Sequence, residues 1–204
     1  FALHHQRDRP LHQHTVEVQE RLDSTGQVLL PLDPATLSAL AAALVGQGIT
    51  TAAVALAHSD LNPAHEHAVR DILLAAGFTT VSLSSDLSAQ VRLLPRASTA
   101  VIDAALAPVM RGFVQQVRQA LGPGCLAFHC LTSAGGLAEP ASFHAKDSLL
   151  SGPAGGVAGC AAAARRAGID RILTFDMGGT STDVARWEGD FLYQFEQRLG
   201  QSTI

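Results

Sequence analysis

The residues Asp176-Met177-Gly178-Gly179-Thr180-Ser181-Thr182-Asp183 carry the most pointed chemistry in this 204-residue chain. They follow an apolar run, Arg171 to Phe175, that reads as a strand. Asp176 ends that strand and would direct a carboxylate into the mouth of a sheet. Gly178 and Gly179 have no side chains, so their backbone N–H groups can approach an anion closely. Thr180, Ser181 and Thr182 add hydroxyl donors, and Asp176 supplies the hard oxygen that magnesium takes beside a phosphate. The plainer alternative is a tight turn between two strands, with Asp183 satisfying its amides. An acid on the incoming strand and the run of hydroxyls favour phosphate binding.

A second glycine-rich passage, Ser151-Gly152-Pro153-Ala154-Gly155-Gly156-Val157-Ala158-Gly159, opens an alanine-rich helix expected over residues 156–167. A helix N-terminus offers unpaired N–H groups and partial positive charge, so Gly152, Gly155 and Gly156 are candidates to border an anion. No Gly-Lys-Ser/Thr follows, which excludes a Walker loop, and the spacing does not fit a dinucleotide fingerprint. Close packing of a small-residue helix on a neighbouring strand explains the same glycines equally well. His58 lies just past a strand, where open α/β sheets place ligands. With His65 and Glu66 it forms a candidate substrate group, against the commoner use of such residues in capping. Ser133 follows a strand but lacks the frame of a nucleophile elbow, so it reads as bordering a ligand. The polar histidines His4, His5, His12 and His14 read as a solvated stretch.

The elements that hold these residues follow an α/β grammar. Val16 to Arg21 alternates with period two, and a turn at Asp23 to Gly26 returns it through Val28 to Leu30 as a hairpin. Asp33-Pro34 opens a helix that stops near Gly46 or Gly48. Thr51 to Ala57 and Thr79 to Leu83 are strands on either side of a helix that Asn62-Pro63 caps and Gly77 ends. Ser98 to Leu121 is the longest helix, with Ile102, Leu106, Val109, Phe113, Val117 and Leu121 as one buried stripe that Pro108 interrupts. Cys125 to Leu131 reads as a strand, and Glu188-Gly189-Asp190 as a hairpin turn into Phe191 to Phe195. Together these predict a mixed sheet flanked by helices.

Composition removes several function classes. A formal charge of −4, with Lys146 the sole lysine, gives no basic footprint for nucleic acid. No apolar run approaches about 20 residues, so no membrane span is expected. Cys125, Cys130 and Cys160 form no C-x-x-C pair and suit a reducing, cytoplasmic setting. Phe1 starts without an initiator Met, and Ile204 follows a strand-like segment with no closing element, so an excised piece of a longer chain is expected.

Read in order, these motifs resemble the hydantoinase A/5-oxoprolinase family, which also includes an acetone carboxylase subunit. The resemblance rests chiefly on SGPAGGVAG at 151–159 and FDMGGTSTDV at 175–184. Weaker support comes from VEVQER at 16–21, His58-Ser59 with Asn62-Pro63 and His65-Glu66, Ser98-Thr99, and Ser133 with Gly135-Gly136-Leu137. It implies a ribonuclease-H-like, actin-like ATPase fold, incomplete here, with ATP and Mg2+ as cofactors and Asp176 to Thr182 as the second of two phosphate loops. It implies an enzyme that opens 5-oxoproline, hydantoin or a related cyclic amide by phosphorylating the amide oxygen. Asp176 would be the catalytic and metal residue, and a hydantoinase-B-type second subunit or a homo-oligomer the partner. Ala134 stands where the family usually has Asn. The expected organisation is a hairpin segment over 1–33, an α/β subdomain over 34–95 and the start of the ATPase-like domain over 96–204. The rival readings are a non-catalytic nucleotide-binding module and an acetone-carboxylase-type subunit.

Overall fold

A short hairpin comes first: β1 (Arg21–Leu22) pairs antiparallel with β2 (Val28–Leu30) around a turn at Asp23 to Gly26. The computed structural model describes residues 10–179 and 182–192, plus the backbone of strands at Arg198–Leu199 and Ser202–Thr203. The alternating run from Val16 was expected to be strand throughout, but only Arg21 of it pairs. Gly26 takes φ +82°, which closes the turn, and Asp23 accepts from Thr25 N, Thr25 Oγ1 and Gln27 N.

Helix α1 (Pro34–Gly46) starts as its sequence suggests, with the Asp33 side chain accepting from Ala35 N at 3.0 Å and Pro34 in the first turn. β3 (Thr51–Val54) then runs parallel to β4 (Thr80–Leu83), in register from Thr51↔Thr80 to Val54↔Leu83. Between them lies α2 (Ala64–Ala76), where Asn62 Oδ1 accepts from Ala64 N and Gly77 ends the helix at φ +112°. Leu37 and Ala41 of α1, Val69 and Leu73 of α2, and Val54, Leu56, Phe78 and Leu83 form one core.

A turn of helix, α3 (Ser84–Leu87), leads to α4 (Leu93–Leu121), which begins five residues before the expected start at Ser98 and continues through Pro108. Gly122, at φ +69°, stops it. Its expected apolar stripe is buried only at its beginning. Ile102 is covered, but Val109 (69% exposed), Phe113 (55%) and Leu121 lie open to solvent. The correction has a simple cause, since no described element covers the second half of that face. α4 has the length and composition to cross a bilayer, which a search for uninterrupted apolar runs passes over. Its first half, however, buries Arg96, Thr99 and Asp103 inside the first unit.

Beyond α4 the strand expected from Cys125 shrinks to β5 (Cys130–Leu131), paired antiparallel with β6 (Leu137–Ala138). A 3-10 turn (Ala145–Ser148) precedes α5 (Ser151–Arg166). β7 (Ile172–Met177) and β8 (Thr182–Trp187) form an antiparallel hairpin in register from Ile172↔Trp187 to Met177↔Thr182. Phe191 and Leu192 are irregular rather than strand, and the rest of that expected strand lies outside the described residues. β9 (Arg198–Leu199) and β10 (Ser202–Thr203) pair antiparallel. Instead of one mixed sheet, the described residues form separate two-stranded sheets, of which β3–β4 alone is parallel. The chain divides into two units, one with residues up to Pro108, inside α4, together with β9 and β10, and the other from Val109 to Phe195. In the first unit Val18 and Leu32, on either side of the hairpin, pack on the α/β core.

Hydrogen bonds hold two surface carboxyls below the usual carboxylate range. Thr25 Oγ1 is the largest cause at Asp23, followed by the Gln27 and Thr25 amides; at Asp33 it is the Thr36 hydroxyl, followed by the Ala35 and Thr36 amides. A depressed folded value stabilises the turn and cap above the ordinary value near 3.9, and that contribution is lost as pH falls through the folded value. A carboxyl NMR titration should therefore give midpoints below about 3.9 for both residues, and midpoints at or above it would contradict the hydrogen bonding.

Candidate functional site

Alternation along β7 decides where Asp176 goes. Ile172, Thr174 and Asp176 share one face, and their partners across the hairpin are Trp187, Ala185 and Asp183. The first two pairs turn inward, with Thr174 and Trp187 buried and Ile172 packed against Ala161, Ala164 and Trp187. Arg165 of α5 closes that small core, lying 5.1 Å over the Trp187 ring and 5.9 Å over Phe191. The third pair on the same face, Asp176↔Asp183, lies past the buried pairs and is exposed. The opposite face of the hairpin is open and mixed, carrying Leu173, Phe175, Met177 and Val184 beside Thr182 and Arg186.

Two carboxylates directly opposite across an antiparallel pair repel each other. The sequence suggested Asp183 as a turn-shaping residue; the register makes it the neighbour of Asp176 instead. That pairing follows from the four residues between the strands, and its signal was the spacing of two acids around a Gly-Gly turn. Gly178 and Gly179 are exposed at the tip, and so is Thr182 on the returning strand. Thr180 and Ser181 lie outside the described residues.

The glycine-rich passage is helical from Ser151, five residues before the expected helix start at Gly156. It forms the first two and a half turns of α5, which packs on β7 and β8. Ala154 N already donates to Leu150 O, so the amides of Gly155 and Gly156 belong to the helix ladder. Of the glycines proposed to border an anion, Gly152 alone lies where N–H groups remain free. The others act by lacking side chains. A Cβ at Gly155 would overlap Leu131 Cδ2, so this glycine lets β5 approach the helix. A Cβ at Gly156 would stand 3.8 Å from Asp176 Oδ2, while Cβ atoms at Gly152 and Gly159 would meet nothing within 4 Å. Gly152, Gly156 and Gly159 recur at helical spacing, so they form one bare, solvent-open stripe that passes beside the Asp176 carboxylate. Each of these glycines weakens the helix by up to about 1 kcal/mol relative to alanine, and packing accounts only for Gly155.

The other candidates lie in the first unit, and they differ sharply from one another. Glu66 is fully buried, and its two oxygens accept from Leu56 N, Ser59 Oγ, Ser84 Oγ, Ser85 N and Ser85 Oγ at 2.7–2.9 Å. Arg96, also fully buried, donates to Ser59 Oγ, Ser84 Oγ, Leu56 O and Asp60 Oδ1. Glu66 is thus the acceptor hub of an internal network and has no lone pair left for a ligand. His65 Nδ1 lies 2.6 Å from Glu20 Oε2, tying α2 to the segment before β1. Asn62 Nδ2 does the same by donating to Gly26 O. His58 follows β3 at φ +60°, the only non-glycine at positive φ among the described residues, and its carbonyl accepts from Leu61 N and Asn62 N. A strained backbone at a strand's end is compatible with a functional role. Arg96, which the sequence reading passed over, carries more of the local structure than any histidine. Its signal was an arginine opposite the serine-rich stretch Ser82 to Ser85.

Ser133 belongs with the second unit. Its amide and hydroxyl both donate to Asp147 O at 2.7 Å, and its Oγ accepts from Leu150 N at 3.0 Å. Burial pushes the Cys130 thiol up, away from nucleophile chemistry. His12 and His14 are exposed, and His4 and His5 lie outside the described residues. Among the described residues no group of three or more His, Cys, Asp and Glu gathers to hold a metal. The Asp176–Asp183 pair is a two-carboxylate set of hard oxygens. That suits magnesium, which takes one or two carboxylates and leaves its other positions to phosphates and water.

Comparison with known proteins gives a consistent result. The family model described as "Hydantoinase/oxoprolinase" matches residues 96–204, and its N-terminal region model matches residues 1–77. The chain is 39% identical over 183 residues to 5-oxoprolinase 1 of Arabidopsis thaliana, covering 87% of this chain and 14% of that protein. The nucleotide-free structure of an acetone carboxylase, described as carrying out ATP-dependent acetone carboxylation, superposes with a TM-score of 0.74 at 26% identity, over 92% of this chain and 28% of that one. An ATP-dependent caprolactamase from Pseudomonas jessenii gives 0.69 at 31% identity, over 83% of this chain and 25% of that one.

The buried network yields a direct test. Removing the Glu66 carboxylate takes the acceptor from the Leu56 amide, the Ser84 hydroxyl and both Ser85 donors, while Arg96 keeps Asp60, at a cost of about 3–5 kcal/mol. Denaturant melts should show Glu66→Ala losing that much, with Asp86→Ala at the surface losing less than about 1 kcal/mol. A Glu66→Ala loss as small as the surface control would contradict the network.

Proposed function

The chain belongs to the hydantoinase/oxoprolinase family, and we propose that it forms part of a longer ATP- and magnesium-dependent enzyme that opens a cyclic amide ring. The observation that carries this reading is the exposed Asp176–Asp183 pair standing beside the bare glycine stripe of α5. Two facing carboxylates are unfavourable by themselves, and a divalent cation between them removes the repulsion. A glycine stripe that packing does not explain, and that costs helix stability, suits a surface another group must approach closely. The chain spans about 14% of the length of the Arabidopsis relative, so the whole enzyme's substrate and partners belong to this proposal.

In this reading Asp176 holds magnesium through water, with Asp183 sharing the charge. The Gly178-Gly179 tip and the hydroxyls of Thr180 and Ser181 receive phosphate oxygens, whereas Thr182, opposite Met177, lies on the face away from Asp176. The open first turn of α5 at Gly152 adds its amide and the positive end of the helix dipole, and Gly156 keeps the approach clear. Gly155 contributes indirectly, by seating the helix on β5. Bound ATP supplies the phosphoryl group that makes the ring amide carbonyl open to water. For such a transfer the protein's task is positioning and charge neutralisation rather than nucleophilic attack. That agrees with a second unit lacking an activated nucleophile among its described residues.

The ring is 5-oxoproline, a hydantoin or a lactam of similar size, and the whole enzyme has an actin-like ATPase fold, with a second subunit or a second copy as partner. The proposed setting is cytoplasmic, where Cys125, Cys130 and Cys160 would keep their free thiols. His58 and His65 remain proposed substrate neighbours through the strained turn at His58. A carboxylase reading has its own support in the likeness to acetone carboxylase. It would use the same nucleotide site on a different acceptor.

Two variants of the full-length enzyme test the proposal together. Asp176→Ala should lower kcat/KM for ATP-dependent ring opening by at least about 100-fold. It should leave the melting temperature unchanged or higher, because a like-charged neighbour is removed. Gly156→Ala should raise helix stability by up to about 1 kcal/mol while weakening ATP binding. Unchanged turnover in Asp176→Ala would defeat the assignment. So would ATP hydrolysis driven by acetone and bicarbonate but by no cyclic amide, which would favour the carboxylase.

A further inference from the structure

The start of α5 has an unusual anchor. Its N-cap position is Leu150, a residue with no side-chain acceptor. In a capping box the N-cap amide is received by a glutamate or glutamine at the third helical position, which here is Pro153; that acceptor comes instead from Ser133, seventeen residues before Leu150, whose Oγ receives the Leu150 amide. The same hydroxyl donates to Asp147 O, and the Ser133 amide donates to that carbonyl as well. With its proton given to a backbone carbonyl, this hydroxyl has none to surrender as a nucleophile. The loop that presents it is tightly closed. Thr132 N donates to Gly136 O, Gly135 N donates to Thr132 O, and Gly135 sits at φ +76°, which favours glycine. One residue back, Leu131 fills the notch left by Gly155. The β5–β6 hairpin therefore grips the first turns of α5 twice, once by hydrogen bonds and once by packing. Those turns carry Gly152 and Gly156, the second of them beside Asp176.

We propose that Ser133 is a positioning residue whose hydroxyl acts as a remote cap for α5 and thereby sets how its first turn meets the phosphates of a bound nucleotide. The nucleotide half of this inference rests on the function proposed above; the helix-anchoring half does not. Without the hydroxyl, the Leu150 amide loses its acceptor and the helix start loosens from Asp147. The effect on reaction is then a weaker hold on ATP, with the ring-binding groups and the transfer step unchanged.

The test uses the full-length enzyme with ATP and the cyclic amide it turns over fastest. Ser133→Ala should raise the KM for ATP roughly tenfold, with kcat and the KM for the ring changing less than about twofold. Ser133→Thr keeps a hydroxyl and should restore the KM for ATP to within about threefold of the wild type. A second readout needs no nucleotide: in Ser133→Ala, exchange of the Leu150 and Ala154 amides, the two held by hydrogen bonds at the helix start, should quicken about tenfold. Unchanged exchange, or a loss that falls on kcat or on the ring's KM, overturns the proposal. Faster exchange with an unmoved KM for ATP upholds the anchor, overturns its link to the nucleotide and counts against the nucleotide site itself.

Discussion

Close approach between α5 and the β7–β8 hairpin is the constraint on which the second unit depends. The hairpin buries Thr174 and Trp187 against a helix face made of Ala161 and Ala164, and a face that small allows the elements to meet. Pushing the same contact one strand pair further brings the Asp176–Asp183 pair out beside Gly156, where no side chain intervenes. Packing in the interior and chemistry at the edge thus come from one geometric relation. The glycines lower helix propensity, and the facing carboxylates repel. Neither feature helps an isolated domain, and both make sense if a cation and an anion complete the surface.

The first unit follows another physical logic. Its core is an ordinary α/β layer, with β3 and β4 parallel and α1 and α2 packed on them. At the C-terminal ends of those strands, however, Glu66 and Arg96 are fully buried, joined through Ser59 and Ser84 rather than by a close ion pair, with 3.9 Å between Arg96 Nη1 and Glu66 Oε1. Such a network is weak evidence for high stability but strongly penalises the loss of any one member. It fixes the loop from Leu56 to Asn62, and so fixes the strained backbone of His58.

Short-range rules were readable in the sequence. Asp33-Pro34 as a helix start, Asn62-Pro63 before α2, and the glycine stops at Gly77 and Gly122 all depend on neighbours a few residues away. What escaped depends on distant partners. Glu66, in the first turn of α2, reads as a substrate contact or a cap until Ser59, Ser84 and Ser85 converge on it. Asp183 reads as a turn residue until the register sets it opposite Asp176. Ser151 to Gly155 read as a lead-in to the helix because glycine and proline disfavour it; tertiary packing on β5 and β7 overrides that preference. The outer part of the α4 stripe has correct periodicity but no described element to cover it, so the pattern predicted a partner more surely than a buried surface.

The claim that a cation and a polyphosphate occupy the gap between Asp176 and the bare face of α5 is most directly tested by a crystal structure of the full-length enzyme. Crystals would be grown with Mn2+ and a non-hydrolysable ATP analogue. The account predicts an anomalous peak about 4 Å from the Asp176 carboxylate, bridged by water, with phosphate oxygens over the first turn of α5. A nucleotide bound elsewhere, with Asp176 facing only solvent or a salt bridge, would contradict it.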